Sequence, residues 1–364
     1  MKHSLKTLLF ALALALAPQA AAQGPGAGAR GEGASAERRA EADPRVVVTL
    51  CLSQGDVLVR GWDRREVSAR AVGAGTLRLL TPNVTPAPRV EVLASDEADA
   101  EPGAGDCGSV ERVELMTPRG ATVNIQSHNG HVEVSDVAEL RVKSLSGDVN
   151  ARRVSQSVEV SCLSGDVSVA DSSGPVRVAT ISGHVEARNV RTLSAADNFE
   201  AKSTSGDVTL EGVGHGQVVG SAVSGSVLYT GALARGGSYD FRTISGDVTL
   251  ELPANSSFNL HARVVVSGEI NTDFPVRLPP GGTTAVPATP GAPTPAATPG
   301  PAPEAGPLVV VVTPENGRPK QIKVKPPKEV REPPTSARLD GTVGGGGAVV
   351  NLSSFSGSLH LKKR

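Results

Sequence analysis

One short phrase recurs through the middle of the chain and restricts its fold more than any other feature. It reads Ser146-Gly147-Asp148-Val149, Ser164-Gly165-Asp166-Val167, Ser182-Gly183-His184-Val185, Ser205-Gly206-Asp207-Val208, Ser224-Gly225-Ser226-Val227, Ser245-Gly246-Asp247-Val248 and Ser267-Gly268-Glu269-Ile270. Successive glycines are 18, 18, 23, 19, 21 and 22 residues apart, and a looser copy, Asn129-Gly130-His131-Val132, stands 17 residues before Gly147. A fixed period of this length is the mark of a repeat architecture.

After each glycine, apolar and polar residues alternate, as in Val167-Ser168-Val169 and Val208-Thr209-Leu210. That is the period of a strand with one buried face. Gly174 before Pro175-Val176-Arg177-Val178 adds a second turn to the repeat, so two short strands and two corners make one flattened coil. A single coil buries too little apolar area to offset backbone ordering at about 1–2 kcal/mol per residue. Stacking solves this, because each strand pairs with its equivalents above and below and the inward valines form ladders. The sequence therefore predicts an all-β fold, a parallel β-solenoid (single-stranded β-helix) of roughly 18–22-residue coils, interrupted by a proline-rich insertion.

The corner triplet has a local reason. Glycine adopts positive φ at little cost, and Asp and Ser side chains can satisfy corner amides that the sheets leave unpaired. A competing reading is a calcium column, with Asp148, Asp166, Asp207, Asp247 and Glu269 supplying oxygen ligands. His184 and Ser226 interrupt that row, and corner chemistry is the preferred account. The 23-residue spacing from Gly183 to Gly206 calls for an outward loop or a longer corner.

In chain order, residues 1–22 join a positive start, Lys2 and Lys6, to an apolar run from Leu8 to Ala17 and then Ala20-Ala21-Ala22, the pattern of a secretory signal peptide. Residues 23–44 read as a flexible lead-in, and 45–274 as the β-solenoid domain, which already shows Gly55-Asp56-Val57. Trp62 is expected to cover the open end of the stack. Residues 91–112 are acidic and read as a surface excursion. Ten prolines between Pro279 and Pro307 make 275–340 a Pro/Gly-rich insertion, within which Val309–Val312 and Gln321–Lys325 can form a short hairpin across Asn316-Gly317. Phe355-Ser356-Gly357-Ser358-Leu359 restates the repeat, so 341–364 reads as a final coil that docks on the end of the stack and caps it.

Chemistry-bearing patterns are sparse. Cys51, Cys107 and Cys162 are too few for a disulfide scaffold; export to an oxidising compartment permits one bridge, with the pairing open. The histidines at 128, 131, 184, 215, 261 and 360 have no tight metal-ligand spacing, and serine recurs too often to mark one nucleophile. No catalytic, cofactor-binding or metal residue is assigned, and no cofactor is expected. Without the leader, 34 basic residues face 37 acidic ones, a formal charge of −3, which gives no pull toward nucleic acid; no transmembrane helix is expected in the mature chain.

The repeated Ser-Gly-Asp-Val phrase, Gly55-Asp56-Val57 with Gly61-Trp62-Asp63-Arg64, and Pro118-Arg119-Gly120-Ala121 ahead of Asn129-Gly130-His131-Val132 resemble the bacterial exported putative-adhesin family, a domain of unknown function. The likeness covers roughly residues 45–275 and 341–364 and implies a β-solenoid in the cell envelope or outside it; it defines no catalytic residues. The expected function is a non-enzymatic binding module or scaffold, located in the periplasm, on the outer surface or outside the cell. Its expected partner is an envelope protein or glycan, and self-association through the stack ends is open to it. The alternatives are a carbohydrate-active β-helix enzyme, which would need two carboxylates across a groove, and a self-assembling structural scaffold.

Overall fold

A corner after every repeated glycine turns the chain out of one row of strands into a second row. The computed structural model describes residues 37–73, 75–95, 107–278 and 336–364. The chain opens with β1 (Arg38–Trp62), β2 (Glu66–Val72), β3 (Thr76–Leu80), β4 (Ala87–Ser95) and β5 (Gly108–Pro118). Long and short strands then alternate: β6 (Thr122–Asn129), β7 (Val132–Ser135), β8 (Glu139–Ser146), β9 (Val149–Arg152), β10 (Ser157–Ser164), β11 (Val167–Ala170), β12 (Val176–Ser182) and β13 (Val185–Arg188). The alternation continues through β14 (Asn198–Ser205), β15 (Val208–Glu211), β16 (Gln217–Ser224), β17 (Val227–Thr230), β18 (Ser238–Ser245) and β19 (Val248–Leu252). β20 (Phe258–Ser267), β21 (Ile270–Thr272), β22 (Val276–Arg277), β23 (Ala337–Val343), β24 (Ala348–Ser356) and β25 (Leu359–Lys363) complete the fold.

The fold is all-β and largely parallel. Long strands pair with long strands and short with short, in register: Val142 with Val160 and Val178, Val149 with Val167 and Val185. β1 serves both rows, since Val47–Leu52 pair with β6 and Val57–Arg60 with β7, on either side of Gly55 at φ 125°. Alternation puts every second side chain inside, where Val142, Val160, Val169, Val178 and their equivalents are almost fully buried. Each such valine or leucine contributes about 1.5–3 kcal/mol.

Later levels carry aromatics instead. Phe199, Tyr239, Phe241 and Phe258 are fully buried, and Gly220, the register partner of Phe241, makes room for it. A Cβ at Gly220 would lie 2.9 Å from the Phe241 ring.

The second turn of the repeat differs from the two-strand, two-corner expectation. It is left-handed at Asp136, Arg153, Asp171 and Asn189 and leads into a third short segment. There Ser155, Ser173 and Gly214 amides donate to Val137, Val154 and Val190 carbonyls one level away, and Val137, Val154, Val190 and Val213 point into the core. A four-residue strand cannot return the chain over the length of an eight-residue one, so a further segment must. The long spacing is taken up by Thr192–Asp197 outside the strands, as expected; the Asp197 carboxylate accepts from the Leu193 and Ser194 amides at 2.7 and 2.8 Å.

Several boundaries move. The lead-in expected over 23–44 is strand from Arg38, because Arg38–Glu41 pair antiparallel with Glu66–Ala69. The excursion expected over 91–112 is largely strand: Val92, Leu93, Ala94 and Val110 are buried, and 96–106 lie outside the described residues. β4 and β5 run parallel to the two halves of β1, forming a level ahead of β1 in space although they follow it in sequence. Trp62 does not cover the stack end; it closes the β1–β2 turn, donating its indole N–H to the Glu66 carbonyl at 2.8 Å beneath the Arg64 guanidinium. Antiparallel strands finish that end, β3 on β4 and β2 on β5.

The last coil also departs from expectation. β24 pairs with β18 on one side and β20 on the other, and β25 lies between β19 and β21. The final repeat is therefore interposed between two earlier levels and does not cap the stack. Antiparallel β23 and β22 finish that end, so the insertion is narrower than 275–340. Ladder bonds are made by backbone alone, so an identical Gly corner can enter at any level. β20, bulged between Val264 and Ser267, takes the outer position. The signal peptide and the hairpin over 309–325 lie outside the described residues. Cys51 and Cys107 are bridged, with Cα atoms 4.6 Å apart, and Cys162 is free and buried.

Candidate binding face

The corners stack directly on one another. Gly165 sits at φ 136°, and a Cβ there would lie 2.3 Å from the Gly147 carbonyl oxygen, so no other residue fits. The residue after each glycine accepts a hydrogen bond from its counterpart's amide on the next level. The His131 amide donates to Asp56 at 3.0 Å, Asp166 to Asp148 at 3.0 Å, His184 to Asp166 at 2.7 Å and Ser226 to Asp207 at 2.8 Å. The Asp207 amide donates to His184 Nδ1 at 3.0 Å. Asp, His and Ser interchange because each offers an acceptor close to its own backbone.

Just inside the corner, the hydroxyls of Thr180, Ser203, Thr243 and Ser354 donate to the carbonyls of Gly165, Gly183, Gly225 and Gly246 at 2.8–3.2 Å. The corner row is thus a structural device. Among the described residues, no group of three or more His, Cys, Asp or Glu is placed to hold a metal ion.

The outer face of the long-strand row carries an apolar line. Leu145, Leu163, Ile181, Val223, Ile244 and Phe355 hold the same position on six levels, and each is between 41% and 52% exposed. Thr204 holds the equivalent place on the level of β14, between Ile181 and Val223, so the line has three apolar members on either side of it. Repeated exposed apolar residues of this kind exceed the scattered ones of an ordinary surface. A shallow depression lies against its later part, lined by Val223, Ile244, Val265 and Phe355 with Arg242 at its side. Lys143 and Arg242 stand two residues before Leu145 and Ile244, Lys202 two before Thr204 and Arg263 two before Val265, all exposed, and the acidic corners of those levels stand three or four residues after.

Farther out, Arg177 meets Glu200 at 3.0 Å, Lys202 also reaches Glu200, and Arg242 meets Asp240 at 2.6 Å. Exposed pairs of this kind contribute little to stability but fix the charge pattern of the face. The signal for the apolar line was present in the sequence: a large apolar residue precedes most Ser-Gly pairs. It was missed because the residue falls between the alternation and the corner.

The histidines do not converge. His128 lies on the outer face, His131 and His184 belong to the corner row, and His215 is fully buried beside Phe199. His215 donates Nε2–H to the Gly174 carbonyl at 2.8 Å, and Nδ1 has no partner. Burial pushes its pKa below the ordinary value of 6.5, opposed by the bond to Gly174 and by the Asp197 carboxylate.

A folded-state pKa below the unfolded one means that, as pH falls through about 6.5, the unfolded chain takes up a proton that the folded chain refuses. Stability is then lost on acidification through this window. The carboxylates whose pKa is held low, Asp136, Asp197, Glu200 and Asp340, begin to weaken the fold as pH falls through the ordinary carboxylate value of about 4 and go on doing so below it. Between pH 7 and 5 the urea midpoint is expected to fall in the wild type and to fall less in His215→Gln; equal slopes would contradict the assignment.

Stacked parallel levels, a structural corner row and an outward apolar line define an all-β repeat protein whose candidate site is a face. The family model described as Toastrack DUF4097 matches residues 52–279. That is more than half of the chain, which belongs to this family, a domain of unknown function. No curated protein matches. A solved structure titled as a putative cell adhesion protein from Clostridium sporogenes ATCC 15579 is 8% identical, with 91% of this chain and 100% of that chain covered and a TM-score of 0.20. A score of that size supports no structural inference. No helix among the described residues is long and apolar enough to cross a membrane.

Proposed function

We propose that the protein is a non-enzymatic, exported repeat domain of the cell envelope or its exterior, and that it binds through the outer face of its long-strand row. The two rows with their connecting third segment are read as a β-solenoid, a stiff support that presents one side chain per level at about 4.8 Å intervals. The observation that carries the reading is the in-register line Leu145, Leu163, Ile181, Val223, Ile244 and Phe355, roughly half exposed on one face, whereas other exposed apolar residues such as Val84, Leu193 and Leu278 lie outside that row. The enzymatic alternative is weakened because the corner carboxylates Asp148, Asp166 and Asp207 are already engaged with neighbouring amides. End-to-end assembly is weakened by the short antiparallel strands that finish both ends, which blunt the edges.

Leu163→Asp combined with Ile181→Asp leaves the core untouched. The mature chain and this variant are to be presented to envelope extract and to isolated glycans, with and without calcium. At least tenfold weaker capture by the variant is the expected result. Equal capture by the two chains would remove the face from consideration.

A further inference from the structure

Resting on the reading of this face as the binding surface, the geometry points to a second copy of the chain as its occupant, in a two-fold dimer whose axis runs along the apolar line, parallel to the stack. The charges flanking the line carry this inference. On the level of β14, Lys202 stands on one side and Asp207 on the other; on that of β18, Arg242 and Asp247; on that of β20, Arg263 and Glu269; on that of β8, Lys143 and Asp148. Where one flank is neutral the other is too: Ser221 and Ser226 share a level, as do Ser353 and Ser358. The level of β10 breaks the pattern, with Ser161 and Asp166, and that of β12 carries no basic and acidic pair, with Ala179 and His184.

A two-fold axis along the line keeps each level opposite itself and exchanges the flanks. Lys143, Lys202, Arg242 and Arg263 then face the acidic corners of the same levels of the partner, Lys202 and Arg242 while still paired with Glu200 and Asp240 on their own strands, and Leu163, Ile244 and Phe355 face their own copies. Such self-complementarity is what an isologous interface requires. Reversing the level order would instead keep each flank opposite its own kind, setting Lys202 against Lys202 and Asp207 against Asp207 when the line is centred on the level of β14, and like charges in contact are repelled. From β8 to β20 the face is about 38 Å long at ~4.8 Å per level and about 20 Å wide at ~3.3 Å per residue. It offers about 750 Å² to each partner, near the roughly 800 Å² of a standard interface. Rim charges of this kind set orientation and association rate more than affinity, so the pairing is expected to weaken as salt rises.

The test uses the full mature chain with its Cys51–Cys107 bridge intact. Light scattering across a concentration series is expected to show a monomer–dimer equilibrium, weakened at least tenfold in Lys202→Glu/Arg242→Glu. Ile244→Cys is expected to form a disulfide-linked dimer under mild oxidation, because Ile244 faces itself. A mixture of Leu145→Cys and Phe355→Cys chains is expected to give no mixed dimer. Ile244 and Phe355 are exposed, and circular dichroism of each variant checks that it folds.

A chain that stays monomeric at every concentration overturns the inference, as does a mixed Leu145→Cys/Phe355→Cys product without an Ile244→Cys one. If a monomeric chain still captures envelope material through Leu163 and Ile181, the pairing falls while the binding-face reading stands.

Discussion

A chain ending at Thr335 is expected to lose amide-exchange protection throughout 258–277 while keeping it in β6 to β13. Removing 336–364 takes away β23, β24 and β25, which are the sheet partners of β20, β21 and β22. Val343, Val350, Leu352, Leu359 and Leu361 leave the core, and Phe258, Leu260, Val264 and Phe274 lose their cover. At about 1.5–3 kcal/mol for each large apolar side chain, the loss exceeds what a segment of some twenty residues can withstand. It stays local, because in a stacked repeat each level depends on its neighbours. Hydrogen exchange read by mass spectrometry checks this. Protection of β20 equal to that in the full chain would show that the interposed coil is dispensable.

Gly165→Ala is expected to cost about 2–5 kcal/mol, the sum of an unfavourable backbone conformation and forced overpacking. The residue sits at φ 136°, and the added carbon would meet the Gly147 carbonyl at 2.3 Å. Those atoms are backbone in the middle of a ladder, so the neighbour cannot turn aside. Gly216→Ala is the matched control, since a Cβ there meets nothing within 4 Å, and a change of less than about 1 kcal/mol is expected. Urea unfolding of both variants reads the difference, and a Gly165→Ala midpoint close to that of Gly216→Ala would show that the corner column relaxes.

Much of the architecture was legible in the repeat. Alternation after each glycine assigned Val149, Val167, Val185 and Val208 to the core, and the triplet located the corners, because both are local properties of a few residues. The candidate face was half legible. Leu145, Leu163, Ile181, Val223, Ile244 and Phe355 stand at one fixed place in the phrase. Their exposure could not be read there, since a large apolar residue in a strand is ordinarily evidence of burial. The left-handed turns at Arg153 and Asp171 carried no glycine to announce them.

By itself, the sequence determined that the chain forms parallel strands turned at glycine corners and stacked in rows, because periodicity sets local conformation and the buried face. Only the tertiary structure decided the order of the levels. It put β4 and β5 ahead of β1, and 348–363 between β18 and β20. The physical reason is that ladder hydrogen bonds join backbone to backbone, so equivalent corners fit equally well at many levels. Which one occupies which is settled by the fit of side chains across the whole stack.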